Sequence, residues 1–317
     1  MDDFVNSLLA NSALLVMWGA LLCHWVLPLP REVHPALLWH KFAEQLANKV
    51  NTQSHYSQSL LSGSFAWLLM LTPMLIVLLA LQNLVWQALL FDLAFLMLAL
   101  DWRNTHQLAN QLIPQLANED KNAVKQQLTP WLNRSTDRLS LLGLGKASSE
   151  TLIMSYGRSV VAVLFWYAVT GGIGAFLYRM AMELARAWSP SRQCFMPFGL
   201  PAVRILAVLD FIPLRLFALL VACGKRGKAC LTLIAQQATS WPLPGPAWLL
   251  VSVGAKLQLS LAGPAIYQHH KALRAKLGGR IAPSAIHVDQ INKLLFNRLW
   301  IWVTLQSLLL AAIYQGL

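Results

Sequence analysis

Apolar residues fall along this chain in long runs separated by mixed, polar stretches, and the length of each run is the first guide to its role. A hydrocarbon core about 30 Å thick needs roughly 20 apolar residues of helix. Runs near 6–27, 64–86, 87–101, 159–181, 202–223 and 299–315 approach that length. They predict an all-α fold, a polytopic integral membrane bundle of about five or six transmembrane helices. Pro28 and Pro30 close the first run, while Pro73 lies inside the second, where a membrane helix accommodates it by local adjustment. The run at 87–101 is short and reads either as a tilted span or as a re-entrant segment. Its Asp92 and Asp101 lie near the ends, where charges reach the interface. Gly171, Gly172 and Gly174 in the fourth run are expected to let another backbone approach closely.

The intervening stretches 28–63, 102–158 and 224–298 carry most of the polarity. Leu37, Leu38, Phe42, Leu46 and Val50 fall near helical spacing and predict an amphipathic interfacial helix. No polar half could fold separately, so residues 1–317 read as one membrane domain with cytosolic elaborations. The opening residues lack the basic region of a signal peptide, and their apolar run is longer than such a signal uses, which predicts a retained first span.

Composition agrees with this picture. The chain is 56% hydrophobic and only 12% charged, with a mean hydropathy of +0.50, against about 25% charged in soluble domains. Its 25 Lys and Arg against 13 Asp and Glu give a net charge of +12. Twenty of those 25 basic residues lie in the three polar stretches, so the positive-inside rule puts them in the cytoplasm and the N-terminal "MDD" outside. The same asymmetry accounts for the charge without nucleic acid, for which no motif is present. Cys23, Cys194, Cys223 and Cys230 form no CxxC pair and read as packing residues.

No nucleophile elbow, P-loop, dinucleotide fingerprint or HExxH motif occurs. His269 and His270 are adjacent and do not share a helical face as paired metal ligands would. Glu150 and Arg158 flank "TLIMSYG" at the mouth of the fourth run. Arg204, Asp210 and Arg215 sit inside the fifth. A carboxylate in lipid costs several kcal/mol unless it pairs or reaches water. Pro213 can bend the run, so Asp210 could reach either arginine, as a functional group or as a structural ion pair.

With these residues laid out, the chain resembles the CobD/CbiB family of cobalamin-biosynthesis membrane proteins. "NRSTDRL" at 133–139 is similar to the family's GRDTxxL, keeping Arg134 and Thr136. The segment 149–179 is similar to VETxAENTxDGxxAPLFFxxxGGAPGAxxYR, keeping Glu150, Thr151, Gly171, Gly172, Tyr178 and Arg179. "VRILAVLDFIPLRL" lies over ARxDDxANxxPARL, keeping Arg204, Pro213, Arg215 and Leu216. His34 and Pro35, "LAGPAIY" ending at Tyr267, and "KLGG…HVDQI" match further motifs. The chain departs where the family has AENTxDG, ARxDD, an early GDP and NTLDSM: these positions read "MSYGRS", Leu206 and Ala207, "PLP" and "MELARA". The lost polar and acidic positions are ones at which a hard cation would take oxygen ligands. The stretch "LAVLDFIPLRLFALL" at 206–220 also resembles the AmpE family, related membrane proteins linked to β-lactamase regulation, whose segment reads VLDWVPVRL and shares Asp210.

The resemblance implies an ATP-dependent ligase that uses Mg2+ and joins aminopropanol or its phosphate to adenosylcobyric acid. Glu150 and Arg158 would then be catalytic. Arg134, Thr136, Tyr178, Arg179, Arg204, Asp210, Arg215 and Tyr267 would bind substrate, with no metal ligand assigned. The implied partners are the corrinoid, other cobalamin-pathway membrane proteins and the bilayer; the implied location is the bacterial inner membrane. A non-catalytic, AmpE-like regulatory protein is the second reading. Transport, suggested by Asp210 in a broken helix, is a third, and the chain lacks the inverted repeat that would accompany it.

Overall fold

A computed structural model describes residues 12–26, 35–51, 55–137, 139–267 and 270–314. His34, Arg138 and His269 fall outside these residues, as do the N-terminal "MDD" and the side chain of His270. The elements are α1 Ser12–Val26, α2 Ala36–Val50, α3 Tyr56–Leu84, α4 Ala88–Ala99, α5 Trp102–Ala117 and α6 Lys121–Leu128. They continue with α7 Leu141–Met154, a π-helical stretch Ser155–Ala162, α8 Val163–Ala187, α9 Leu200–Leu209, α10 Phe211–Ala222, α11 Gly227–Gln237 and α12 Pro244–Leu257. Four short strands follow, β1 Ser260–Ala262, β2 Ala265–Tyr267, β3 His270–Ala272 and β4 Lys276–Gly278, before the last helix, α13 Ala285–Tyr314.

The all-helical expectation holds, with two small antiparallel pairs added, β1 with β4 and β2 with β3. Among the described residues, three helical paths are long and apolar enough to cross a membrane: Tyr56–Leu84, Leu141–Ala187 and Ala285–Ile313. The pair α9–α10, bent by 51°, makes a fourth if it counts as one span. α3 turns Phe65, Leu69 and Ile76 outward, each more than 60% exposed, as a helix bordered by lipid would. Pro73 leaves α3 unbroken.

Three boundaries move. At 12 residues α4 is about 18 Å long, shorter than a core of about 30 Å. The fourth run begins at Leu141 rather than near 159, because the π-helical stretch joins α7 to α8 without ending the helix. The stretches 102–158 and 224–298 are packed structure rather than loop. Leu108, Leu112, Val124, Leu128, Leu144 and Val288 share an apolar core of their own.

Close approach at glycine holds α4 in place. Gly171 breaks α8 with φ +71°, a conformation that glycine adopts without steric penalty. The next N–H, from Gly172, donates to Asp92 Oδ1 at 3.2 Å. A Cβ on Gly172 would stand 2.8 Å from the Asp92 backbone. Asp92 therefore caps a broken helix instead of reaching the interface. Asp101 is also buried, at 8% exposure. The predicted amphipathic helix is α2. Its Leu38 and Phe42 are exposed, and Trp39 Nε1 donates to the Met180 carbonyl at 3.0 Å. Cys230 is buried as expected, but Cys194 and Cys223 are exposed.

Candidate functional site

Two clusters of charge lie within this framework, and the long path from α7 to α8 contributes to both. The first forms around Glu150 of α7. Its Oε2 accepts from Arg134 Nη2 at 3.3 Å and from Arg274 Nη2 at 3.4 Å. Its Oε1 is buried with no hydrogen-bond partner. Arg274 is held in turn: its Nε donates to the Gly263 carbonyl at 2.9 Å, its Nη1 lies 3.4 Å from the Tyr267 hydroxyl, and its guanidinium sits 5.1 Å over the Trp241 ring.

Ala262 and Gly263, with φ +59° and +94°, interrupt the strand between β1 and β2, and β3 and β4 return antiparallel to them with Arg274 between them. Lys146 Nζ reaches Ser260 Oγ at 3.3 Å. Thr136 is buried, its hydroxyl 3.1 Å from that of Thr129. Thus Arg134, Thr136, Glu150 and Tyr267, taken from three segments, come into one region. Arg274 and Lys146 complete it and were not singled out from the sequence. Arg274 lies 124 positions from Glu150, and no spacing rule links residues that far apart.

The second cluster forms at the bend between α9 and α10. Asp210 is completely buried; Tyr178 donates to its Oδ1 at 2.7 Å and Arg158 Nε to its Oδ2 at 2.7 Å. Neither Arg204 nor Arg215 is its partner, contrary to the sequence expectation. The reason is local. Pro213 has no N–H to bond back to Leu209, and the freed Leu209 carbonyl accepts from Trp166 Nε1 at 3.3 Å. The chain turns by 51° there and directs Asp210 at the neighbouring helix. Gly157 lets that helix come close, because a Cβ there would stand 2.6 Å from Leu249 and 2.8 Å from Leu214.

Arg215 stacks instead on Phe211, 3.7 Å from its ring centre, and on Trp248 at 4.7 Å, leaving its Nε buried and unpartnered. Arg204 is exposed and joins neither cluster.

Arg179 anchors an extension of the second cluster. Its Nη2 lies 2.9 Å from Glu183 Oε1 and 3.1 Å from Asp101 Oδ2, and Glu183 Oε2 meets His40 Nε2 at 2.9 Å. Asp101 also accepts from Asn104 at 2.6 Å. Arg179 Nε and Nη1 stay buried without a partner. Asp101, Glu183 and His40 were missed in the sequence, although Arg179 and Glu183, four apart in an apolar helix, carried a readable i,i+4 signal. Glu150 and Arg158 serve different clusters despite flanking one short segment.

Comparison with known proteins bears on this arrangement. The family model described as CobD/Cbib protein matches residues 17–295. The chain belongs to the CobD/CbiB family. It is 28% identical over 298 residues to the cobalamin biosynthesis protein CobD of Stutzerimonas stutzeri, covering 92% of this chain and 96% of that one. It is 29% identical over 259 residues to the CobD of Chromobacterium violaceum, covering 81% of each. No solved structure matches. Both clusters of this CobD/CbiB chain lie within the matched residues.

Proposed function

We propose that this CobD/CbiB chain acts in cobalamin biosynthesis, as a membrane ligase that condenses the carboxylate of adenosylcobyric acid with the amine of aminopropanol or its phosphate. The observation that carries this reading is the Glu150 region: a buried carboxylate with one oxygen free, set among Arg134, Arg274 and Lys146. Carboxylates and phosphates bind best where guanidinium groups are already oriented. Arg274 is oriented by the Gly263 carbonyl and by Trp241.

The donor set fits Mg2+ with a nucleotide. Among the described residues no group of three His, Cys, Asp or Glu is assembled. Mg2+, however, commonly uses one or two carboxylates together with substrate phosphates, and Glu150 Oε1 is free to be one. When bound, ATP with Mg2+ would supply the phosphoryl group that activates an otherwise unreactive carboxylate. In this reading Glu150 holds the metal or takes the proton of the attacking amine. Arg134 and Lys146 offset developing negative charge, and Arg274 binds the phosphate of the substrate. Arg179, with two buried donors free, and Arg215, with one, serve the anionic groups of the corrinoid or of aminopropanol phosphate. Arg158 and Asp210, which satisfy each other, position rather than react. The large basic stretches face the cytoplasm of a bacterial inner membrane, where ATP is available.

Purified protein supplied with ATP, Mg2+, adenosylcobyric acid and aminopropanol or its phosphate is expected to form the amide, and the gene to restore cobinamide synthesis to a strain lacking its ligase. One observation favours an AmpE-like regulatory reading: Asp210, shared with that family, is wholly consumed in an internal ion pair. A deletion strain that still makes cobalamin from cobyric acid but alters its β-lactam response would select that reading.

A further inference from the structure

The loop after α10 and the β4–α13 connection border an open cleft of about 420 Å³ that neither charge cluster touches. It is lined by Arg226, Leu233, Ala255, Gln258, Arg280 and Ile281, among others. Neither the Arg226 nor the Arg280 guanidinium makes a hydrogen bond or ion pair among the described residues. By contrast, Arg134, Arg158, Arg179, Arg274 and Arg298 are all engaged.

The backbone suggests that the arginine at 226 is kept for its side chain. Arg226 has φ +64° and Gln258, across the cleft, φ +59°, in the left-handed region that favours glycine. Glycines stand close by at 224 and 227, yet position 226 carries a guanidinium. Gly279 closes the wall, because a Cβ there would overlap the Gln258 backbone.

The electrostatic setting is one-sided. From Phe211 to the end of the chain there are eleven Lys and Arg and one acidic residue, Asp289, which pairs with Lys293 at 2.7 Å. The position lies just past the end of a candidate span, the bent pair α9–α10. Arg226 follows the end of α10 by four residues, and the intervening Cys223 carbonyl is held by Lys256 Nζ at 2.7 Å and Arg298 Nη2 at 2.8 Å. Ile281, which lines the cleft, is 44% exposed. A site with two free guanidinium groups and an apolar floor, next to a candidate span, fits a phosphate joined to acyl chains better than a free anion.

We propose that this cleft binds the phosphate headgroup of an anionic phospholipid, with Arg226 and Arg280 clasping the phosphate and Leu233 and Ile281 contacting the glycerol and the upper acyl chain. The test is native mass spectrometry of the full chain released from mixed micelles of phosphatidylglycerol and phosphatidylcholine. Wild-type protein is expected to retain one phosphatidylglycerol in preference to phosphatidylcholine. Each arginine contributes roughly fivefold to that preference. Arg226→Gly, which keeps the backbone conformation, and Arg280→Gln should each lower it by that factor, and Lys225→Gln with Lys228→Gln should leave most of it. Equal retention of both lipids by wild type would overturn the proposal, whether or not the variants fold. So would loss of preference in the lysine variant alone, which indicates diffuse surface charge, or full displacement of the lipid by millimolar inorganic phosphate, which indicates a free-anion site.

Discussion

Asp210 and Glu150 are both carboxylates removed from water and paired with arginine, but they differ in what is left over. Asp210 has both oxygens taken by short bonds from Tyr178 and Arg158. Glu150 shares one oxygen between two longer bonds and keeps the other free. A closed pair of this kind fixes geometry, since removing one partner strands a buried charge. An open one retains capacity for a ligand. The two clusters that meet the α7–α8 path thus divide their work, with the bend locked at Asp210 and an unsatisfied carboxylate oxygen at Glu150.

The largest effect is expected from opening the closed pair. Asp210→Asn strands the Arg158 guanidinium and should destabilise the protein by about 3 kcal/mol, read as loss of folded protein from detergent extracts. Activity should fall in proportion to folded protein. A stable Asp210→Asn protein without activity would move Asp210 into the chemistry and undo the contrast. Glu150→Gln leaves the Arg134 and Arg274 guanidinium groups without their carboxylate and should also cost stability, but here amide formation per folded molecule should drop about 100-fold. Full turnover by this variant would assign the chemistry elsewhere.

The contrast between the two clusters also explains what was legible in the sequence. Helical class, the amphipathic α2, the close approach at Gly172 and the bend near Pro213 follow from run length, periodicity and residue type, which act locally. Partner choice at Asp210 was not legible. Arg204 and Arg215 lie six and five positions away and looked nearer than Arg158, until the 51° bend turned the carboxylate to another helix. Run length likewise gave five or six spans where three or four helical paths among the described residues are long and apolar enough to cross. An apolar stretch such as 87–101 satisfies composition while forming only 12 residues of helix packed on α8 and α1. Arg274 was invisible for a third reason, since only the β1–β4 and β2–β3 pairings carry it back to Glu150.

A smaller effect should separate packing from charge along the same path. Gly172→Ala would bring a Cβ within 2.8 Å of the Asp92 backbone, and overpacking of this kind costs about 1–3 kcal/mol. Thermal unfolding in detergent should show it, with the activity per folded molecule preserved. Arg274→Gln should raise the KM for the phosphate-bearing substrate roughly tenfold while changing kcat little, as expected for lost uniform binding. A fall in kcat alone would put Arg274 in contact with the reacting carboxylate instead.

The smallest effect is expected at Arg204, and it probes the comparison from outside. The family resemblance assigns Arg204 to substrate, yet it is exposed on α9 and joins neither the closed nor the open cluster. Surface substitutions of this kind change stability by about 0.5 kcal/mol or less. Arg204→Gln should therefore leave the thermal midpoint, kcat and KM within twofold of wild type. If KM alone rose by tenfold or more with the thermal midpoint unchanged, a substrate would have to reach α9 from the membrane side. The binding surface would then extend past Asp210, and the closed pair would lie within the site rather than beside it.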